Sequence, residues 1–354
     1  MSKINIIYLM PELKNASGGG KLIYNHSFIL NKLNKKVKSK ILHVKKNFLY
    51  KLELSIAKRI KLSEKTFIGW EAKKMRVSNN FLPDKDWFNK KINLAKNLKF
   101  NHSNDFIILP EILSHFADEL EFKKRNIKYA IFVQGSFHMN SSENFDKIKN
   151  SYENAEFILT TSVYSINFIK KIFPKCKKNI IKVNLSIDMP SPLKSLKKNY
   201  ITCLPRKLPA HYFLLMFYLK KKLPKNWMID PIENTSDKEL INKIKRSKIF
   251  LSFSHFEGFG LPPLEAAITG NKVIGYDGGG GKEYWQEPIF SRIEYGEIYK
   301  FGEKILDQIK NYDKLWLDKS KKQRNLLKEK YSKKTEKETL NNLVNRVIAL
   351  YIEK

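Results

Sequence analysis

Short apolar runs alternate along this chain with segments of helical periodicity, and this alternation constrains the fold more than any other feature. Residues 4–10 have the length and apolar content of a buried strand, and residues 22–33 carry apolar side chains at helical spacing. Further strands are predicted at residues 40–44, 105–109, 129–133, 156–160 and 180–184, with helices beginning near Glu111 and Ser162. The repeated strand–helix order predicts a parallel sheet covered by helices on both faces.

A segment rich in proline and serine divides this alternation into two halves. Residues 186–199 contain two Pro and three Ser, a composition typical of a linker between domains. Strands are then predicted at residues 200–204, 227–229, 248–253 and 272–276, with helices from Pro209, Ser236 and Pro262. Two α/β units joined by a linker predict a cleft, with ligands at the carboxyl ends of the strands.

The charge of the chain is extreme. Lys and Arg number 67 against 35 Asp and Glu, a formal net charge of +32, and only eight of the basic residues are Arg, which leaves 59 Lys. Lys spread evenly would reflect compositional bias, whereas Lys gathered on one face would attract anionic lipid headgroups, a polyanionic acceptor or nucleic acid. An apolar content of 42% supports a packed core and excludes wholesale disorder.

Cysteine usage and the N-terminal segment indicate a cytoplasmic protein. Cys176 and Cys203 are the only cysteines and have no metal-ligand spacing, which favours a reducing compartment over a disulfide or zinc framework. The apolar run at residues 4–10 is too short for a secretory signal or a membrane span. We therefore expect any membrane contact to be peripheral, at the inner face of the cell membrane.

Residues 254–270, SHFEGFGLPPLEAAITG, carry the most chemical information. The preceding apolar run makes the segment a strand, a loop and a helix. Gly258 and Gly260 allow tight turns, and two prolines suit the first turn of the helix, where a missing N–H costs little. The helix N-terminus would favour phosphate. Glu257 lies before the turn and Glu265 in the predicted first helical turn, so two carboxylates can bracket one ligand and accept hydrogen bonds from its hydroxyls.

The stretch EGFGLPPLEA resembles the E-x7-E signature of family 4 glycosyltransferases, which have the two-domain GT-B fold. A second loop at residues 275–283, GYDGGGGKE, is similar to that family's glycine-rich turn with an acidic residue. Arg206 and Lys207 follow the first strand of the second half, where the family places a basic pair on the donor diphosphate. The family separates these two cations by several residues, whereas here they are adjacent. The triplet at residues 18–20 resembles the family's N-terminal glycine loop.

This resemblance implies an α/β protein with two Rossmann-like domains whose parallel sheets face each other across a cleft. Residues 1–186 would bind the acceptor, residues 199–335 would bind the nucleotide-sugar, and residues 336–354 would form a helix that crosses back to the first domain. The family retains the anomeric configuration and needs no metal or cofactor, because basic groups and a helix terminus stabilise the leaving group.

The resemblance also implies roles for particular residues. Glu265 would hold the ribose hydroxyls, and Glu257 would hold the transferred sugar near its reacting carbon. The amides of Phe259, Gly260 and Leu261 would meet the sugar and phosphate. The other donor-binding residues would be Arg206, Lys207, Gly18, Gly19, Gly20, Gly279, Gly280 and Glu283.

A histidine is the candidate for proton transfer. His138 follows the predicted strand at residues 129–133 and could reach the sugar or accept a proton from the acceptor hydroxyl. A plain loop or partly buried histidine is the alternative, with His115 and His255 as rivals. Two look-alike motifs are set aside. Residues 84–86 spell DxD without a strand leading into them, and residues 16–22 lack the first Gly and the Ser or Thr of a P-loop.

We expect a glycosyltransferase that moves a sugar from a nucleotide-sugar to a glycan or lipid-linked acceptor in bacterial surface polysaccharide synthesis, such as capsule or lipopolysaccharide. An anionic membrane surface is a further expected partner, and specific nucleic acid is not. The alternative, motivated by charge alone, is a nucleic-acid- or polyanion-binding protein without transferase activity, and it lacks a recognisable nucleic-acid-binding signature. The irregular, Lys- and aromatic-rich residues 45–104 have either a core or an interfacial role.

Overall fold

The computed structural model describes residues 3–13, 17–46, 70–85, 88–140 and 144–352. Its contacts divide the chain into two units, Met1–Asn184 together with Glu336–Lys354, and Leu185–Thr335. Both units are α/β, so the predicted fold class is confirmed. The assignment of the acceptor to one unit and of the donor to the other stays a prediction.

The first unit contains a seven-stranded sheet in the order β3-β2-β1-β4-β5-β6-β7. Its strands are β1 Ile4–Pro11, β2 Val37–Lys46, β3 Met75–Val77, β4 Asp105–Pro110, β5 Lys128–Val133, β6 Phe157–Thr160 and β7 Ile180–Lys182. All pairings are parallel except that of β2 with β3. The helices that follow these strands are α1 Gly18–Leu33, α2 Phe116–Glu119, α3 Phe145–Glu153 and α4 Val163–Ile172.

Both faces of this sheet are buried, which explains why its strands read as continuous apolar runs. Leu9 and Leu109 point into one hydrophobic cluster, whereas Tyr8 and Ile108, their neighbours along the strands, point into the other. The second cluster also receives Leu340, Leu343, Val344 and Val347 of the C-terminal helix.

The second unit contains a five-stranded parallel sheet in the order β12-β11-β10-β8-β9. Its strands are β8 Lys198–Cys203, β9 Met228–Ile229, β10 Ser247–Glu257, β11 Lys272–Gly279 and β12 Phe290–Arg292. Its helices are α5 Pro209–Leu219, α6 Asp237–Arg246, α7 Leu261–Ile268, α8 Ile298–Lys310, α9 Trp316–Lys319 and α10 Lys321–Lys330. The last helix, α11 Lys333–Ile352, starts in this unit and belongs to the first unit from Glu336 onward.

The helical segment expected near Glu111 does begin there, but it consists of a 3-10 turn, Glu111–Leu113, and the four-residue α2. The prediction of a loop at the glycine triplet is wrong. The glycine triplet forms the first turn of α1 instead of a loop, because the hydroxyl oxygen of Ser17 caps that helix by accepting a hydrogen bond from the amide of Gly20 at 3.0 Å.

The aromatic segment is described only in part. Residues 47–69 and 86–87 lie outside the described residues, and with them the end of the DxD look-alike. Phe88 is 6% exposed and its ring lies 5.1 Å from that of Tyr24, so this aromatic belongs to the core. Among the described residues no helix has both the length and the apolar character needed to cross a bilayer.

Candidate functional site

The turn between β10 and α7 brings together most of the predicted donor residues of the second unit. Glu257 is the last residue of β10, and the register with β11 shifts between Ser254 and Glu257. Gly260 precedes α7 with φ of +80°, a conformation that favours glycine. Glu265 is the fifth residue of α7, so it lies in the second helical turn instead of the predicted first turn.

The two prolines limit which amides this turn can offer to a ligand. Pro262 and Pro263 occupy the first turn of α7, where proline fits because the first N–H groups of a helix have no partner inside it. Proline carries no N–H, so the amides of Gly260 and Leu261 are the ones left at the helix start. They are the groups that could meet a phosphate or a sugar oxygen here.

A buried tyrosine holds this turn in place. The hydroxyl of Tyr284 donates to the carbonyl oxygen of Gly260 and lies 3.2 Å from that of Phe259. Burial raises the pKa of Tyr284 well above its usual value, so the hydroxyl keeps its proton and remains a donor. The ring of Phe259 packs against Tyr284 and Tyr331, with ring centres 5.4 and 5.3 Å away, so only its backbone can contact a ligand. The sequence contains no local signal for Tyr284.

The glycine-rich loop packs directly against the first turn. β11 continues to Gly279, further than predicted, and a 3-10 turn, Gly280–Glu283, follows. A Cβ atom on Gly280 would lie 2.0 Å from the carbonyl oxygen of Gly258, so the two loops touch backbone to backbone and only glycine fits. The carboxylate of Glu283 accepts a hydrogen bond from the Tyr331 hydroxyl at 3.2 Å.

The basic pair reaches the same site from a neighbouring strand. Arg206 and Lys207 lie in a 3-10 turn, Pro205–Lys207, directly after β8, and β8 pairs with β10. The Nζ atom of Lys207 is 2.5 Å from Oε1 of Glu257, although the two residues are 50 positions apart. Arg206 is exposed and points to no ion-pair partner within the described residues. The structure therefore joins the predicted diphosphate cation to the predicted sugar carboxylate.

A group of histidines and tyrosines borders this site. His255 stacks on Tyr295 with ring centres 4.7 Å apart, and Nδ1 of His211 is 3.0 Å from the hydroxyl of Tyr276. Partial burial, reinforced by the nearby His211, lowers the pKa of His255. Sequence reasoning missed this group apart from His255, because its members come from β10, β11, α5 and the segment after β12.

The first unit has its own group of candidate residues at the carboxyl ends of β4 and β5. A Cβ atom on Gly19 would lie 2.2 Å from Oε1 of Gln134, and the amide nitrogen Nε2 of Gln134 donates to the carbonyl oxygen of Gly19 at 3.1 Å. The buried carboxylate of Glu111 accepts from the amides of Gln134, at 3.2 Å, and Gly135, at 3.0 Å. Glu111, which sequence reasoning missed, thus anchors the chain that leads to His138.

The three candidate histidines differ in exposure. His138 ends the 3-10 turn Ser136–His138 and is exposed, as a proton-transfer group requires. His115 is 1% exposed and bonds through Nε2 to the carbonyl oxygen of Trp70. Burial lowers the pKa of His115 and so favours its neutral form. Both His138 and His115 belong to the first unit, and His255 to the second.

Part of the second unit matches a known family. Residues 215–333, about a third of the chain, match the family described as "Glycosyl transferases group 1". The matched segment includes both glutamates and the glycine-rich loop, and Arg206 and Lys207 precede it. No curated protein is similar in sequence to this chain.

Solved structures are similar over the whole chain. Sucrose-phosphate synthase from Thermosynechococcus elongatus matches with a TM-score of 0.66 and 11% identity, covering 98% of this chain and 100% of that one. S. aureus TarM in complex with fondaparinux, α-GlcNAc-glycerol and UDP matches with a TM-score of 0.58 and 15% identity, covering 99% and 100%. Anabaena HepE in complex with UDP and glucose matches with a TM-score of 0.59 and 10% identity, covering 98% and 100%.

At these identities the structural likeness establishes the fold, and the sequence match adds the domain type. The two sheets of mostly parallel strands match GT-B structures. The match of residues 215–333 to the group 1 family adds support for glycosyltransferase activity on this fold.

Proposed function

We propose that this protein transfers a sugar from a nucleotide-sugar to a glycan or lipid-linked acceptor at the inner face of the cell membrane, in bacterial surface polysaccharide synthesis such as that of capsule or lipopolysaccharide. The observation that carries the transferase part is the 2.5 Å ion pair between Lys207 and Glu257. It places a cation and a carboxylate at the carboxyl ends of adjacent parallel strands, where α/β domains bind ligands.

The same pair supports a donor-binding mechanism. When the donor binds, Lys207 exchanges Glu257 for the diphosphate, and the carboxylate of Glu257 then accepts hydrogen bonds from the sugar hydroxyls. Lys207 and Arg206 stabilise the negative charge that builds on the leaving diphosphate, which is the role of a metal ion in other transferases. Transfer therefore needs no metal, and full activity in excess EDTA is the expected result.

Glu265 is proposed to hold the ribose. It projects from α7 beyond the turn whose amides, those of Gly260 and Leu261, would face the phosphate. Gly279, Gly280 and Glu283 would line the donor from the neighbouring loop. Two of the similar proteins are described with UDP, so UDP-sugars come first in a binding test.

The first unit is proposed to bind the acceptor. Its exposed His138 would accept the proton from the acceptor hydroxyl, and Gly18, Gly19 and Gly20 would approach the donor phosphates with their backbone. Transfer would retain the anomeric configuration. NMR of the first-formed product would show this, and a product of inverted configuration would contradict it.

Ligand-induced thermal stabilisation tests the donor site. Wild type, Glu265→Ala and the matched control Glu303→Ala, an exposed glutamate of α8, are melted with a panel of nucleotides and nucleotide-sugars. We expect one nucleotide to raise the Tm of wild type and control and to leave Glu265→Ala unchanged. If polyanions raise the Tm and no nucleotide does, the transferase proposal fails and polyanion binding replaces it.

A further inference from the structure

Helix α5 exposes an apolar face that the donor site does not use. Phe213, Leu214 and Phe217 are 66%, 55% and 77% exposed. Leu214 and Phe217 follow Phe213 by one and four positions, which puts all three on one side of the helix. Isolated exposed apolar residues are ordinary, but three large ones side by side mark an interaction surface.

The opposite side of α5 is firmly packed, so this exposure does not come from a loosely attached helix. Leu215 and Leu219 are buried in the core of the second unit. A Cβ atom on Gly302 of α8 would lie 2.3 Å from the ring of Tyr218, which shows how closely the two helices approach. The exposed face is therefore presented by a rigid element.

Basic residues flank this apolar face along the chain. Residues 205–229 contain six basic residues and no Asp or Glu. Lys220, Lys221, Lys222 and Lys225 follow the helix directly, and all four are exposed. On the adjacent α8, Glu297 is already paired with Lys300 at 2.9 Å, so it does not neutralise the lysines after α5.

We propose that the face formed by Phe213, Leu214 and Phe217, together with the lysines that follow it, docks this protein on an anionic lipid surface. Aromatic and aliphatic side chains beside a lysine cluster fit the boundary between acyl chains and negatively charged headgroups. With 11 residues, α5 is roughly 16 Å long, about half the thickness of the hydrocarbon core, so it lies in the interface and does not span it.

The charge of the chain favours a membrane over a second copy of this chain as the partner of the α5 face. A symmetric dimer through this face would place each lysine cluster near its own copy. With a net charge of +32 per chain, contact between two copies is electrostatically unfavourable. Contact of the same face with an anionic bilayer is electrostatically favourable.

The position of the face connects docking to chemistry. α5 begins two residues after Lys207, and Phe213 lies roughly 6 Å along the helix from its start. Docking would therefore hold the basic pair close to the headgroups, where a lipid-linked acceptor carries its reacting hydroxyl. This step deepens the membrane part of the proposed function and rests on it, whereas the docking itself is tested without any donor or acceptor.

Vesicle flotation tests the docking surface. Wild type is compared with the triple variant Phe213→Ser/Leu214→Ser/Phe217→Ser on phosphatidylcholine vesicles with and without 30 mol% phosphatidylglycerol, at about 150 mM NaCl, where surface charges are screened beyond roughly 8 Å. The matched control is Leu193→Ser/Leu315→Ser/Leu326→Ser, three leucines of the same unit with 57%, 53% and 58% exposure. We expect the α5 variant to bind the anionic vesicles at least tenfold more weakly and the control to bind like wild type.

A charge variant separates lipid binding from other apolar contacts. Lys220→Glu/Lys221→Glu/Lys222→Glu should abolish the preference for anionic vesicles, and Lys170→Glu/Lys171→Glu/Lys178→Glu, in the first unit, should lower it at most threefold. Equal losses in the test and control variants would overturn the proposal. So would a dimer in analytical ultracentrifugation that the Phe213 triple variant dissociates, or RNA binding by this face with no vesicle binding. If this test fails, the proposed sugar transfer can still be measured with a soluble acceptor, so failure of the docking proposal is distinguishable from failure of the transferase proposal.

Discussion

Replacing Glu111 with Gln should change how stability depends on pH. The carboxylate of Glu111 is buried and accepts two amide hydrogen bonds, which favour its charged form. Burial outweighs them and raises its pKa from 4.5 to about 7. A glutamine at this position has no charge in either the folded or the unfolded state, so it removes the pH-dependent contribution while keeping the size and shape of the side chain.

The sign and size follow from the two pKa values. Between pH 4.5 and 7 the folded protein holds the Glu111 proton while the unfolded chain has released it, so the free energy of unfolding falls as pH rises through this window. A rise in the pKa of Glu111 from 4.5 to about 7 corresponds to a loss of roughly 3 kcal/mol in the free energy of unfolding. This loss is complete above pH 7. The Gln amide group cannot accept from both backbone amides, a loss of about 1 kcal/mol that is independent of pH.

Other groups make the free energy of unfolding rise with pH, so their contributions must cancel in the comparison of wild type with the variant. Burial lowers the pKa of His26 to about 3 and of His43 to about 4, so their contribution to stability is lost as pH falls below 6.5. Burial also lowers the pKa of Lys197 to about 7, which reduces stability at every pH below 10.5. These contributions are the same in wild type and variant, so the difference between the two proteins isolates Glu111.

The assay is urea denaturation from pH 4.5 to 8, followed by pulsed hydrogen exchange of β5 peptides so that the first unit is observed by itself. Relative to wild type, Glu111→Gln should gain roughly 3 kcal/mol in free energy of unfolding across this range. Glu338→Gln, at an exposed position of α11, should show no such slope. A difference between Glu111→Gln and wild type that stays constant with pH would refute the reasoning, because it would mean that the two amide hydrogen bonds outweigh desolvation.

Three further predictions concern the packing of the second unit and the thiols. Tyr284→Phe leaves carbonyl oxygens of the turn without their donor and should lower the free energy of unfolding by about 1–3 kcal/mol in urea denaturation. A decrease of less than about 0.5 kcal/mol would contradict the role of the hydroxyl. Gly280→Ala places a methyl group against the carbonyl oxygen of Gly258 and should cost at least about 1 kcal/mol and weaken nucleotide binding in the same melting assay. Cys176 and Cys203 are free, buried thiols whose pKa values burial raises, so neither should react with DTNB at pH 8 before unfolding; rapid labelling of the native protein would contradict this.

Where the sequence misled, non-local contacts were the reason. Glycine triplets usually form turns, but Gly19 sits against Gln134, 115 positions away, and this contact together with the Ser17 cap holds the triplet in a helix. The three-residue strands β3 and β12 are too short for a periodic pattern and exist only because a neighbouring strand pairs with them.

The sequence by itself determined the α/β class and the local form of the turn between β10 and α7. A parallel strand buried on both faces must be continuously apolar, so β1, β4, β5 and β10 were readable from composition alone. The turn after β10 was readable because glycine and proline fix backbone conformation through their own chemistry. Only the tertiary structure decided that Lys207 meets Glu257, that Tyr284 holds the turn and that Glu111 anchors the chain before His138. Each of these contacts joins residues from different strands or loops, and strand order, which brings them together, leaves no periodicity in a single sequence.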